Sequence, residues 1–306
     1  MKKAVYYGVR DVRVDEVAEP EAGSGDIKVK IKYCGICGSD LHEYLHGPFP
    51  ESPFGHEVCG EVVAVGRDVK GFQVGDHVAT FVRDGYAQYV VAPEDKALKL
   101  PDDLPWERAA VLEPLAGAIY ALERGNVKAT DTIFIAGAGP VGLLILLAAK
   151  VIGAQTIYIT DLSEKRRNMA EKLGATATFD PAAVKIPATI RELTGGRGID
   201  VTVEAVGIEA TLKDCLASTR HGGTVIVQGI FTDRALIHML GFVTREITMI
   251  GANSANPVRS LEWMLTKGIK PEAIVTSTVS LDRIVEGGFE MLANHKNEEI
   301  KILVEP

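Results

Sequence analysis

Thr132-Ile133-Phe134-Ile135-Ala136-Gly137-Ala138-Gly139-Pro140-Val141-Gly142 is the stretch that decides the fold. An apolar, β-prone run meets glycines spaced G-x-G-x-x-G, and the apolar run from Val141 to Ala149 continues as a helix. The first glycine permits a tight turn, the second lets a pyrophosphate approach the backbone, and the third allows close helix–strand packing. The helix N-terminus offers free N–H groups and partial positive charge to phosphates. Gly137, Gly139, Pro140, Val141 and Gly142 are therefore the expected contacts of a dinucleotide. Asp161 ends the next strand, nineteen residues after Gly142. A carboxylate there accepts hydrogen bonds from both adenosine ribose hydroxyls and repels a 2′-phosphate, which favours NAD over NADP. Asp161 has a second reading, as the N-cap of a helix starting at Ser163-Glu164.

Outward from this turn, strand and helix patterns alternate. Strands are expected at 156–160, 200–206, 224–228 and 246–250, with helices at 163–173 and 209–219. That alternation predicts a doubly wound parallel sheet over residues 120–255. Upstream, residues 27–33 alternate apolar and basic side chains, the period of a half-buried strand, and 61–65 and 77–82 are further short strands. Residues 106–124 are helix-like, with Pro114 expected to break or kink them. Residues 259–267 and 281–292 are amphipathic helix candidates, and 300–304 is a terminal strand able to return to the first domain. The expected organisation is a β-rich domain of residues 1–119 and 256–306 around a domain of residues 120–255.

The 306 residues suffice for two domains with sizeable cores. A net charge of −8 argues against a nucleic-acid partner or an anionic membrane surface. No apolar run approaches the roughly 18 residues of a membrane span. The N-terminus Met1-Lys2-Lys3-Ala4-Val5-Tyr6 reads as a strand, without the apolar core of a signal peptide. The four cysteines are therefore expected as thiols in a reducing cytoplasm.

A second cluster precedes the glycine turn. Cys37-Gly38-Ser39-Asp40-Leu41-His42 and Gly55-His56-Glu57 gather a thiol, two imidazoles and two carboxylates within about twenty residues. This ligand mix suits zinc, and a catalytic zinc keeps one position open. Cys37 alone is readable as a small core residue and His56 as a satisfied internal histidine, but neither reading accounts for their company. Glu113 lies within the apolar Val111-Leu112-Glu113-Pro114-Leu115, where a metal would offset its charge.

Cys34-Gly35-Ile36-Cys37-Gly38-Ser39-Asp40-Leu41-His42, Gly55-His56-Glu57, Glu113-Pro114-Leu115 and the glycine turn together resemble the zinc-dependent medium-chain dehydrogenase/reductase family. The resemblance spans nearly the whole chain and is closest to the polyol branch, the sorbitol and 2,3-butanediol dehydrogenases. It implies a GroES-like β-rich catalytic domain and a Rossmann domain that binds NAD. It implies one catalytic zinc per chain, held by Cys37, His56 and Glu113, with Glu57 as an alternate ligand or neighbour. Asp40 would orient His56 through its other ring nitrogen. Ser39 would hydrogen-bond the substrate hydroxyl, His42 would pass the proton outward through the cofactor ribose, and Arg166 would contact that ribose. The second cysteine alone ligates in the family, so Cys34 is read as a strand residue. Cys59 is a weaker ligand candidate. Cys215 and His221 are read as structural, and His46 as either lining a substrate entrance or standing on a surface loop.

The expected activity is oxidation of a secondary alcohol, a small-molecule vicinal diol or polyol, with hydride transfer to NAD. A sorbitol- or threonine-type dehydrogenase is the alternative within enzymes, and a noncatalytic NAD-binding regulatory protein is the alternative outside them. Relatives pair through the edge of the cofactor-domain sheet, here residues 246–253, so a homodimer or homotetramer is expected. Two segments depart from the family. Its four-cysteine lobe, the structural-zinc site, is replaced by Ala79-Thr80-Phe81-Val82-Arg83-Asp84, and the stretch 46–55 is short.

Overall fold

The computed structural model describes residues 1–48, 54–295 and 298–306. Two units divide it, residues 1–113 with 271–306, and residues 114–270.

In the first unit, β1 (Lys2–Gly8) and β2 (Asp11–Glu16) form an antiparallel pair. β3 (Asp26–Gly35) is the spine of the larger sheet: its alternation buries Ile27, Val29 and Ile31 and exposes Lys30 and Lys32. Helix α1 (Gly38–His46) follows directly, then β4 (Glu57–Val65), β5 (His77–Thr80), β6 (Tyr89–Pro93) and β7 (Ala97–Lys99). β3 pairs with β4 and β6, and β5 and β7 extend the β4 side, all antiparallel. Residues 81–85, within the segment where the resemblance leads one to expect the four-cysteine lobe, make a short turn. Asp84 and Gly85 donate to the carbonyls of Phe54 and Gly55 at 3.0 and 2.8 Å. Of the shortened stretch 46–55, residues 49–53 lie outside the described ones.

The helix expected over 106–124 is two, α2 (Trp106–Ala109) and α3 (Leu112–Arg124). The break falls ahead of Pro114, which occupies the first turn of α3, where a missing N–H costs nothing. Proline starts this helix rather than kinking it.

The second unit continues with β8 (Thr132–Ala136), α4 (Pro140–Ile152), β9 (Thr156–Thr160), α5 (Glu164–Lys172), β10 (Ala177–Phe179) and α6 (Ile186–Leu193). Then come β11 (Ile199–Glu204), α7 (Glu209–Ser218), β12 (Thr219–Val227), α8 (Met239–Thr244), β13 (Thr248–Gly251) and α9 (Pro257–Thr266). The sheet order is β10-β9-β8-β11-β12-β13, with every pair parallel. The order reverses between β8 and β11, a switch point beyond whose strand ends doubly wound folds bind ligands.

Back in the first unit, β14 (Val275–Ser280) and β15 (Lys301–Glu305) pair in parallel, and β15 joins β3 through Leu303–Gly35 and Val304–Cys34. The helix expected over 281–292 is irregular: a tight turn over Leu281–Arg283, a wide turn over Ile284–Phe289, then α10 (Glu290–Asn294). Gly287-Gly288 weakens the regular helix, and a Cβ at Gly288 would stand 2.7 Å from Ile36 Cδ1. The wide turn lets Phe289 enter an aromatic cluster. Its ring stacks on Tyr44 at 4.9 Å and Phe54 at 5.7 Å, and Tyr86 meets Phe54 edge-on at 5.2 Å. All four cysteines are free thiols, and among the described residues no helix is long and apolar enough to cross a membrane.

Candidate active site

The cluster in the first unit is organised by Asp40. Cys37 is the N-cap of α1, and its N–H donates to Asp40 Oδ2 at 2.9 Å, the return bond of a capping box. Gly55 N–H donates to Asp40 Oδ1 at 3.1 Å, and the Tyr86 hydroxyl donates to Oδ2 at 2.6 Å. Asp40 is 1% exposed and ties the loop before His56 to the start of the helix. It stands 3.7 Å from His56 Nδ1. Cys37, at the helix N-terminus, carries its sulfur where the backbone dipole favours an anion.

Cys37, His56 and Glu57 each present one ligand atom, and these atoms lie within 4.8 Å of one another. Glu113 Oε2 stands 3.9 Å from His56 Nε2, beside that trio rather than within it. Burial alone would lower the His56 pKa, but hydrogen bonds with Asp40 and Cys37 push it up to about 12. Burial raises Glu113, with His56 drawing it down and Glu57 pushing it up. The thiol and the carboxyls of Asp40, Glu57 and Glu113 thus converge on two basic side chains, His56 and Lys301. Sulfur, nitrogen and oxygen donors at this spacing, with surplus negative charge, fit a divalent zinc ion.

Lys301 was not foreseen. It is 1% exposed in β15, forms an ion pair with Glu57 Oε2 and donates to the Ile36 carbonyl at 2.9 Å. The available signal was a lysine inside the apolar Ile300-Lys301-Ile302-Leu303-Val304. Glu57 Oε1 is buried with no hydrogen-bond partner among the described residues. Gly35 makes room for the pair: a Cβ there would stand 2.0 Å from Glu57 Oε2.

Ser39 and His42 sit three residues apart in α1, on one face of the helix. Ser39 Oγ is buried without a hydrogen-bond partner among the described residues. Burial, and then His46, lower the His42 pKa, so its imidazole is neutral at neutral pH. The His42 and His46 rings lie 4.9 Å apart, and His46 ends α1. Cys34 is buried within β3, where burial holds its thiol well up. Cys59 is buried in β4 with Sγ 3.5 Å from the Trp106 carbonyl, and burial pushes it up to about 12. Cys215 is buried in α7, whereas His221 is exposed in β12.

In the second unit, the three glycines behave differently. Gly137 has φ +107°, in the region that favours glycine, and its N–H donates to the Thr160 carbonyl at 2.8 Å. A Cβ at Gly142 would stand 1.9 Å from the Gly137 carbonyl oxygen, so helix and strand meet only with glycine there. Above Gly139 the nearest atom to an added Cβ is Arg166 Nη1 at 3.7 Å, leaving the turn's backbone approachable. Pro140 opens α4, followed by Val141, with Gly139 as N-cap. Asp161 Oδ2 accepts Ala138 N–H at 2.9 Å and Oδ1 accepts Ser163 N–H at 2.8 Å. The N-cap of α5 is Ser163, whose Oγ accepts Arg166 N–H, so the capping role considered for Asp161 belongs to its neighbour. Asp161 instead fastens the glycine turn to the end of β9.

Family comparisons agree with both halves of this geometry. A zinc-binding dehydrogenase family model matches residues 140–267, and an alcohol dehydrogenase GroES-like domain matches residues 23–102. The (R,R)-butanediol dehydrogenase of Bacillus subtilis (strain 168) is 35% identical over 347 residues, covering 100% of both chains. Sorbitol dehydrogenase of the same organism is 32% identical, covering 100% of this chain and 97% of the relative. The crystal structure of 2R,3R-butanediol dehydrogenase from Bacillus subtilis superposes with a TM-score of 0.92 at 34% identity, covering 100% of this chain and 99% of that one. The chain belongs to the zinc-binding dehydrogenases, in the polyol branch of the medium-chain dehydrogenase/reductase family, with a GroES-like and a Rossmann domain.

Proposed function

We propose, from that membership, that the chain is an NAD-dependent zinc dehydrogenase oxidising a secondary alcohol, a vicinal diol or polyol such as 2,3-butanediol, to the ketone. The observation that carries the reading is Ser39 Oγ, buried and unpartnered among the described residues on the helix that Cys37 caps. An orphaned buried hydroxyl is costly unless a ligand pairs with it, and a substrate hydroxyl does so. Bound zinc supplies Lewis acidity that eases loss of the hydroxyl proton, and bound NAD supplies the hydride acceptor. Cys37, His56 and Glu113 would hold the metal. Glu57 is already neutralised by Lys301, so Glu113 is the better third ligand and Glu57 the alternate. Asp40 holds Cys37 and the His56 loop in place. Ser39 accepts the departing proton and donates its own toward His42, whose neutral imidazole can take it.

The substrate class is tested by NAD reduction across butanediol isomers, sorbitol, threonine and simple secondary alcohols. Highest kcat/KM on a vicinal diol is expected. Preference for sorbitol or threonine would move the chain to those branches, and no turnover with any of them would favour a regulatory protein. Gly137, Gly139, Pro140, Val141, Gly142, Asp161 and Arg166 would bind NAD. Asp161→Ser should narrow the preference for NAD over NADP roughly 10- to 100-fold, the value of one charged hydrogen bond. Asp161→Asn removes the charge and keeps one of the two oxygens that accept the Ala138 and Ser163 N–H groups, so it gives a second measure of the charge at the cost of one turn hydrogen bond. Wild-type preference for NADP in steady-state kinetics would show the ribose assignment to be wrong.

One zinc per chain is expected. Among the described residues only Cys37, His56 and Glu57 form a ligating cluster, and the turn at 81–85 has no cysteine. Elemental analysis after dialysis should find about one equivalent. Two tightly held equivalents would mean that a second zinc site forms without the four-cysteine lobe, and would refute the single-zinc assignment.

The protein should be a homodimer or homotetramer. β13 is the edge of its sheet, with Thr248, Met249 and Gly251 exposed. Met239, Leu240 and Val243 just before it are 56%, 67% and 64% exposed. An apolar edge of this kind tends to find a second copy. Light scattering that returns a monomer at working concentration would refute the assignment.

A further inference from the structure

A cavity of about 230 Å³ lies in the second unit at the amino ends of β11 and β12. The glycine turn follows the carboxyl end of β8 in the same parallel sheet, so the two sites are at opposite ends of the strands. Arg191, Arg197, Arg220, Arg245, His221 and Ser218 line the cavity, and none of its lining residues is acidic. Four guanidiniums gather here in a chain whose net charge is −8.

Structural duties account for three of the four. Arg197 and Arg220 both bind the buried Asp200; burial would raise that carboxyl, but the two guanidiniums hold it well below the usual range. Arg245 donates to the carbonyls of Leu216, Ala217, Thr219 and Gly241, closing the C-terminal end of α7. Arg191 has no such duty. It is exposed and makes no hydrogen bond through its guanidinium among the described residues. Burial, and then Arg191, lower the pKa of Arg245, so the two cations repel each other without a shared anion. Ser218 is 2% exposed, and its Oγ has no hydrogen-bond partner among the described residues. A buried hydroxyl left unpaired beside uncompensated cations is the arrangement a bound oxyanion completes.

We propose that this cavity binds a phosphate dianion, either inorganic phosphate or a small phosphate monoester. Asp200 satisfies one of the four guanidiniums' charges, so the pocket retains enough positive charge for a dianion. Arg191 and the spare donors of Arg220 supply charge-assisted bonds, and Ser218 Oγ donates one more.

The test uses the full chain at constant ionic strength, with inorganic phosphate and glycerol phosphate titrated separately against chloride while unfolding temperature is followed. At least one of the two should raise it saturably. Arg191→Glu should shift the saturation midpoint at least tenfold, and Ser218→Ala should shift it several-fold. In chloride alone neither variant should unfold below wild type: Arg191→Glu replaces the repulsion of Arg245 by attraction, and Ser218→Ala removes an unpaired buried hydroxyl. Phosphate captured by the glycine turn instead would leave the Arg191→Glu midpoint unchanged, and that result overturns the proposal. So does a rise no larger than chloride gives.

Discussion

Cys37→Ser and His56→Ala should each lower turnover by about 10³-fold or more, because several kcal/mol of transition-state stabilisation depends on the metal and each 1.36 kcal/mol is tenfold. Both variants should also lose zinc on dialysis, since each removes one of a small set of protein ligands. NAD affinity should persist: the proposed dinucleotide contacts belong to residues 114–270, while Cys37 and His56 belong to the other unit. Folding should persist in Cys37→Ser, because its N–H still donates to Asp40 and caps α1. The informative measurement therefore combines metal content, NAD binding by equilibrium dialysis and kcat on one preparation. Full turnover by metal-free Cys37→Ser protein would sink the zinc mechanism.

The legible parts of the fold are those where a local pattern and its tertiary use coincide. The strand 132–136, the glycine turn and α4 are one continuous signal, and the alternation after them implies the parallel sheet. β10 carries little local signal: it has three partly buried residues, too few to show a period. Residues 281–292 carry an amphipathic pattern, but the paired glycines and the approach of Ile36 override it. The break expected at Pro114 is present, but it falls at residues 110–111, because the proline takes the first turn of the second helix rather than an interior position.

The site shows the same division. Cys37, Asp40, His56 and Glu57 lie close in sequence, and Asp40 joins them through Cys37 N–H and Gly55 N–H. Tyr86 and Lys301 reach the site only through tertiary structure. Tyr86 meets Asp40 from the turn after β5, and Lys301 arrives when β15 pairs beside β3. Helix α1 itself was missed, since Cys-Gly-Ser has little helix propensity and the start depends on the Asp40 cap.

Lys301→Met should destabilise the metal-free protein by about 3–5 kcal/mol, the cost of removing one partner from a buried ion pair. Lys301 is buried beside Glu57 within a cluster that also holds Asp40, Glu113 and the Cys37 sulfur. Burial would lower the lysine pKa, but Glu57 first and then Cys37 and Asp40 raise it, so it remains a cation at neutral pH. Without it, Glu57 is left as a buried carboxylate that has lost its ion-pair partner. The asymmetry of buried pairs gives a control. Glu57→Gln/Lys301→Met removes both charges and should recover much of the loss, with a coupling energy of about 1–3 kcal/mol in a double-mutant cycle. Zinc should narrow the deficit of the single variant, because a divalent cation offsets part of the same negative charge. Urea unfolding of metal-free and zinc-loaded protein measures all four terms. Equal stability of Lys301→Met and wild type in chelator would mean that the pair with Glu57 contributes no net stability, which overturns the prediction.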